Sequence, residues 1–280
     1  MRPIGIDLSH WIEHWSQDLL PILERAKACG FDGAELAIID PFNMNFHALR
    51  QELVRLDMRV TCGAGLTPSA DISSPDAGIR QAGMEKLKRC VEGCQLLGSN
   101  ILGGVLYAPW MRFPETYDLQ PYRDRSAAAL RLVGQVAGDL GVTLCLEVIN
   151  RFEANLFNTV DDGLAFLQQV DSPHVKLHLD TFHMNIEEDD LAQAIRTAGR
   201  ALGHLHCASN SRRRPGLGHI DWRALKVALD EIDYQHWLVI ETFPRAGNQV
   251  GNTVRTWRAL GGDLDEEARL GAAFLRQSLC

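Results

Sequence analysis

The chain has 280 residues, an apolar share of 46% and a formal charge of −8. This length suits one large α/β unit or two small ones, and no apolar run approaches the ~20 residues needed to span a bilayer. The acidic balance argues against a nucleic-acid partner, which needs a broad basic face; the cluster Arg212-Arg213-Arg214 is too short for such a footprint.

The opening residues turn polar too soon for a signal peptide and predict a strand, Pro3–Leu8. Leu19, Leu20, Leu23 and Ala26 then form one helix face, ending near Gly30. From there β-rich runs and helical patterns alternate. The strands are Gly33–Ile38, Arg59–Ala64, Ile101–Val105, Thr143–Ile149, Val175–Leu179, Leu202–His206 and Trp237–Glu241. The helices between and after them are Phe46–Leu56, Gly78–Leu97, Tyr122–Leu140, Thr159–Val170, Leu191–Ala198, Trp222–Ile232 and Asp263–Leu279. Several strands are continuously apolar, as befits parallel strands covered on both faces.

Eight strand–helix alternations predict an α/β fold of the (β/α)8 TIM-barrel type, one domain over residues 1–280. No Gly-x-Gly-x-x-Gly follows the first strand, so a dinucleotide fold lacks its usual marker. The cysteines (Cys29, Cys62, Cys90, Cys94, Cys145, Cys207 and Cys280) are odd in number and form no Cys-x-x-Cys pair. They read as buried thiols in a reducing, cytoplasmic compartment.

Barrel enzymes build their active sites at the C-terminal strand ends, so polar residues closing apolar runs are the ones to inspect. Glu147 falls late in strand five and Asp180 after strand six, while His206 closes strand seven and Glu241 strand eight. Three carboxylates gathered in low dielectric would repel and resist ionisation, a penalty that a divalent cation removes. With one imidazole they form an oxygen-rich set suited to Mn²⁺, Mg²⁺ or Co²⁺ rather than a closed zinc site. His178 and His204, by contrast, read as satisfied core residues.

The segments around these positions carry a resemblance. Leu146-Glu147-Val148-Ile149-Asn150-Arg151-Phe152-Glu153 and Leu179-Asp180-Thr181-Phe182-His183-Met184-Asn185-Ile186-Glu187-Glu188 strongly resemble the ketose 3-epimerases. So do Ile72-Ser73-Ser74-Pro75-Asp76, the Arg213-Arg214-Pro215-Gly216-x-Gly218 loop and Val254-Arg255-Thr256-Trp257-Arg258. That family acts on D-tagatose, D-psicose (D-allulose) or L-ribulose within the xylose-isomerase-like barrel superfamily. The resemblance implies one divalent ion per subunit, Mn²⁺ first and Co²⁺ or Mg²⁺ next, on Glu147, Asp180, His206 and Glu241. It implies that Glu153, His183 and Arg212 hold the sugar around C1 and O2, and that Trp15 and Trp110 line its pocket. The implied partner is a small ketose, with no membrane or nucleic acid, and the implied assembly is a homodimer or homotetramer.

The implied reaction inverts C3 of a free ketose through a cis-enediolate. It needs an acid–base group on each face of that carbon, and Glu147 and Glu241 fit the pair. Two positions depart from the family. Ser209 stands where a Glu usually follows the metal His, and Asp7 replaces a tyrosine of some members; both are expected where the sugar is read. Three readings compete. An aldose–ketose isomerase or sugar-phosphate epimerase would use Arg212, Arg213 and Arg214 near the usual phosphate position. A multi-zinc phosphodiesterase would want more His ligands and a basic groove. A non-catalytic sugar-binding protein would not need both Glu147 and Glu241.

Overall fold

A computed structural model describes residues 1–280. Eight parallel strands close into a barrel in sequence order: β1 Ile4–Asp7, β2 Gly33–Ala37, β3 Arg59–Gly63, β4 Ile101–Gly104, β5 Thr143–Glu147, β6 Val175–Asp180, β7 Leu202–Cys207 and β8 Leu238–Ile240. The last strand pairs with the first, Gly5 opposite Val239, which leaves no open edge. Each predicted strand is present, with ends moved by a residue or two. The helices are α1 Leu20–Ala28, α2 Phe46–Arg55, α3 Ala77–Leu97, α4 Gln120–Asp139, α5 Val160–Val170, α6 Thr181–Glu187, α7 Leu191–Ala198, α8 Trp222–Glu231, α9 Gln249–Thr253 and α10 Leu264–Ser278. The sequence reading did not foresee α6, which starts on the residue after β6, or α9.

Alternation along the strands sorts the side chains into two compartments. Ile4, Ile6, Ala34, Leu36, Leu144, Leu146, Leu177, Leu179, Leu238 and Ile240 belong to the large apolar core between strands and helices. The barrel interior is a separate, graded stack. Its base is a small cluster of Ile101, Cys145, Trp237 and Val239. The next residue but one along these and neighbouring strands is polar, ionisable or glycine: Gly103, Glu147 and Glu241, with Glu35, Thr61 and His178 beside them. Apolar contact thus closes the bottom of the barrel, and chemistry-bearing groups occupy the top.

One irregularity decides what β7 presents. Leu177 pairs with Leu202, but His178 pairs with His204, so the register shifts by one residue and Gly203 is extra. Leu202 packs outward in the main core. A side chain at Gly203 would point inward, its Cβ 2.8 Å from Cys145 Sγ. Such a bulge re-aims a strand, and here it turns both His204 and His206 into the barrel. Glycine is required because that Cβ would also lie 3.0 Å from the Lys176 side chain.

All seven cysteines are free thiols and six are buried, in keeping with the packing role expected of them. Burial pushes the thiols of Cys90 and Cys145 up to about 12, which makes them inert at neutral pH. No helix is long and apolar enough to cross a membrane.

Candidate active site and metal centre

The four strand-end residues meet at one point. Glu147, Asp180, His206 and Glu241 offer ligand atoms that all lie within 4.8 Å of one another. Asp180 is fully buried and also caps α6, its Oδ1 accepting from the Phe182 amide at 2.8 Å, which leaves Oδ2 for the cluster. His206 Nδ1 lies 3.3 Å from Glu241 Oε2 and has no hydrogen-bond partner. Its other ring nitrogen, Nε2, is 2.6 Å from Glu35 Oε1. A carboxylate can only accept, so Nε2 carries a proton, while Nδ1, without a hydrogen-bond partner, points into a cage of carboxylates.

This donor set fits a divalent, oxygen-preferring cation. It combines an orphaned buried nitrogen with three carboxylates in a low-dielectric site. Burial and the neighbouring Glu241 charge push the Glu147 carboxyl well above its usual range. Burial works the same way on Glu241, but the Arg212 guanidinium and His206 outweigh it and hold that carboxyl at about 2. Their neighbours thus push the two carboxyls in opposite directions in the metal-free chain.

Around the cluster lie the residues assigned to the sugar. Asn150, in the loop after β5, donates one amide N–H to Glu153 Oε1 at 2.8 Å and the other to His183 Nδ1 at 2.7 Å. Its Oδ1 accepts from the Phe152 amide at 2.9 Å, which fixes the amide's orientation. His183 must therefore carry its proton on Nε2, 3.6 Å from Glu147 Oε1. Burial, reinforced by Arg212, lowers its pKa well below the usual value and keeps the ring neutral. Trp110 Nε1 holds the other oxygen of Glu153 at 2.8 Å.

Arg212 reaches into the centre itself. Its guanidinium bonds Asp180 Oδ2 and Glu241 Oε2 and lies between the faces of Phe182 and Phe243, 4.6 and 5.2 Å from the ring centroids. Trp15 lines the same cavity and donates to Thr253 Oγ1 at 3.3 Å. Asp7 lies at the cavity floor, with Oδ1 taken by the Ser9 amide and hydroxyl. Burial, together with the Glu241 and Glu35 charges, raises its pKa to about 7. The cavity, about 830 Å³, opens between Trp15, Trp110, Phe152 and Trp257.

Three sequence expectations need correction. Ser209 does not face the sugar cavity. It is fully buried, and its Oγ accepts from the Arg213 amide at 3.1 Å while its amide donates to Arg213 O at 2.8 Å. It braces the turn that holds Arg212 at a left-handed φ of 61°. The arginine trio is not a phosphate cradle. Arg212 is neutralised by two carboxylates, Arg213 Nε bonds Leu260 O at 2.8 Å, and Arg214 pairs with Glu267 at 3.1 Å. His178 is buried, but neither ring nitrogen meets a protein partner.

His204, by contrast, is satisfied on one side, with Nε2 2.7 Å from Glu35 Oε2. His178, His204 and His206 also gather within 4.8 Å. Two of the three spend Nε2 on Glu35, so they make a poor ligand set beside the carboxylate centre. A buried unpaired imidazole costs on the order of 1–3 kcal/mol. His178→Met is therefore expected to raise stability by about 1 kcal/mol in urea unfolding; a loss of stability would show that an ordered partner satisfies the ring.

Sequence reasoning missed Glu35 and Asn150. Glu35 is 1% exposed, a single carboxylate inside the apolar run Gly33-Ala34-Glu35-Leu36-Ala37, and that misplacement was its only signal.

Comparisons with known proteins agree on the family. The model of the xylose isomerase-like TIM barrel family matches residues 23–277. D-psicose 3-epimerase of Agrobacterium fabrum is 35% identical over 281 residues, 97% of each chain. L-ribulose 3-epimerase of Mesorhizobium japonicum is 36% identical, covering 98% of this chain and 93% of its own. A crystal structure of D-psicose 3-epimerase with D-tagatose from Clostridium cellulolyticum H10 superposes with a TM-score of 0.93 at 36% identity, covering 99% of both chains.

Proposed function

Because the chain belongs to the xylose isomerase-like TIM barrel family and, within it, to the ketose 3-epimerases, we propose that it is an isomerase inverting C3 of a free ketose of the D-psicose, D-fructose, D-tagatose or L-ribulose type. The observation that carries this reading is the convergence of Glu147 and Glu241 on one cluster, beside an imidazole whose Nε2 is left free to donate.

Glu147, Asp180, His206 and Glu241 would hold the cation, with Mn²⁺ the first choice and Co²⁺ or Mg²⁺ the alternatives. When bound, the ion polarises the ketose carbonyl and offsets the charge that develops on its oxygens. The chain's own residues do the rest. One carboxylate removes the proton from C3, which the adjacent carbonyl acidifies, leaving an enediolate. The other returns a proton to the opposite face and so inverts the centre. The configuration at C3 selects which carboxylate begins, so the same pair serves both directions.

His183 Nε2–H is set to donate to the oxyanion at O2, because Asn150 occupies its Nδ1. Glu153, held by Asn150 and Trp110, would accept from the O1 hydroxyl at that end. Arg212 would add a second donor at O2. Trp15 and Trp110 shape the walls, and Asp7 would read a hydroxyl at the floor.

A sugar phosphate is disfavoured because Arg212 is already paired with two carboxylates and neither Arg213 nor Arg214 lines the cavity. The remaining features of the reading are a single-domain chain, a homodimer or homotetramer, a cytoplasmic location and a role in carbohydrate metabolism.

Incubation of free ketohexoses and ketopentoses with the Mn²⁺-loaded protein in D₂O tests the reaction directly. The expected product is a C3 epimer carrying one deuterium at C3. Epimerisation without deuterium uptake would point to hydride transfer and overturn the proton mechanism.

A further inference from the structure

Beneath the four-residue cluster the barrel interior holds a carboxylate that the proposed chemistry does not use. Glu35, on β2, accepts from Thr61 Oγ1 at 2.8 Å, His204 Nε2 at 2.7 Å and His206 Nε2 at 2.6 Å. The two imidazoles come from β7, three strands away around the closed barrel. Each Glu35 oxygen takes one imidazole, so the carboxylate can be satisfied in this arrangement only if both rings are protonated at Nε2. For His206 this leaves Nδ1 at the other end of the ring, 3.3 Å from Glu241 and without a hydrogen-bond partner.

We propose that Glu35 is the positioning residue of the cation centre: it selects the Nε2–H tautomer of His206 and locks the ring so that Nδ1 is a ligand rather than a donor. This rests on the cation reading given under Proposed function. The need for such a lock is local. In the alternative tautomer an N–H at Nδ1 would confront the cation, and the Nε2 lone pair would confront a carboxylate in a site closed to water. The carboxylate also pulls on the Nε2 proton, which makes Nδ1 a better electron donor. His204 completes the lock, since it takes the second oxygen and keeps Glu35 from rotating away. Ring packing supports the fixed pose: His178 and His206 meet edge to face at 4.0 Å between centroids.

Glu35→Gln keeps the size but replaces one acceptor oxygen with an NH₂ donor. It can accept from one imidazole and must donate to the other, so one ring is forced to change tautomer. Two measurements test the assignment. Long-range ¹H–¹⁵N correlation spectra of the metal-free wild type are expected to show His204 and His206 both protonated at Nε2; this result does not depend on the variant folding. In Glu35→Gln at least one of the two is expected to move its proton to Nδ1. Competition with a chelator is expected to show Mn²⁺ bound about 10- to 100-fold more weakly by the variant.

Absence of a proton from Nε2 of His206 in the wild type, or an unchanged Mn²⁺ affinity in a folded Glu35→Gln variant, overturns the assignment. The two readings fail separately. A wild type with the Nε2 proton in place that takes up no Mn²⁺ overturns the cation centre itself. Tight Mn²⁺ uptake with Nε2 of His206 unprotonated in the metal-free chain overturns only the role of Glu35.

Discussion

Replacing Glu147 or Glu241 with Gln is expected to lower kcat by about 1000-fold or more, within the range that general acid–base catalysis supplies for one residue and added to its loss as a ligand. The substitution is nearly isosteric, and both side chains sit on a barrel rim fixed by eight closed strands, so the fold should survive. Assay at saturating Mn²⁺ separates a weakened ion from a missing base. The two variants should also fail differently in D₂O. With a substrate whose proton Glu241 removes, Glu147→Gln should still exchange the C3 hydrogen but return it to the original face. Exchange with retention and no epimer is the signature of a two-sided mechanism. Near-normal turnover by either variant on the true substrate would sink it.

Removal of the metal is the second large effect. Exhaustive treatment with EDTA is expected to abolish epimerisation, and Mn²⁺ or Co²⁺ to restore it. Stability should follow the same ligand. Three carboxylates meet at the centre, and in the metal-free chain the Arg212 guanidinium offsets only part of their charge. A cation that binds the native state alone adds about 2.7 kcal/mol at a concentration 100 times its Kd. The midpoint of thermal unfolding should therefore rise with Mn²⁺ concentration. Full activity in a sample shown by elemental analysis to hold no metal would contradict the centre.

Much of this was legible in the sequence because the barrel writes its chemistry at regular places. Strands such as Leu144-Cys145-Leu146-Glu147 announce an apolar run and then break it with a charge, and each such break turned out to face the same point. Other features leave no comparable mark. Glu35 stands alone in its strand, and its meaning depends on two imidazoles that arrive from the far side of the barrel. Asn150 acts through both hydrogens of one amide, an arrangement visible only once His183 is in place. Ser209 was misread because its position after His206 suggested a side chain aimed at the sugar, whereas the tight turn at Arg212 draws its hydroxyl into backbone contacts. The helix α6 begins so abruptly at the end of β6 that no spacer separates the two, since Asp180 serves as strand end, helix cap and cluster member at once.

The extra residue in β7 ties architecture to chemistry in a way that sequence distance would hide. Strands assign side chains to alternate faces, so a one-residue slip exchanges the two sets. A β7 of the same length without the slip would hand both imidazoles to the greasy sleeve of helices and send Leu205 and Cys207 inward, whereas taking out the extra Gly203 would leave His204 opposite His178 and both rings inside. The slip, and the spacer without a side chain that makes room for it, therefore set which way His204 and His206 look.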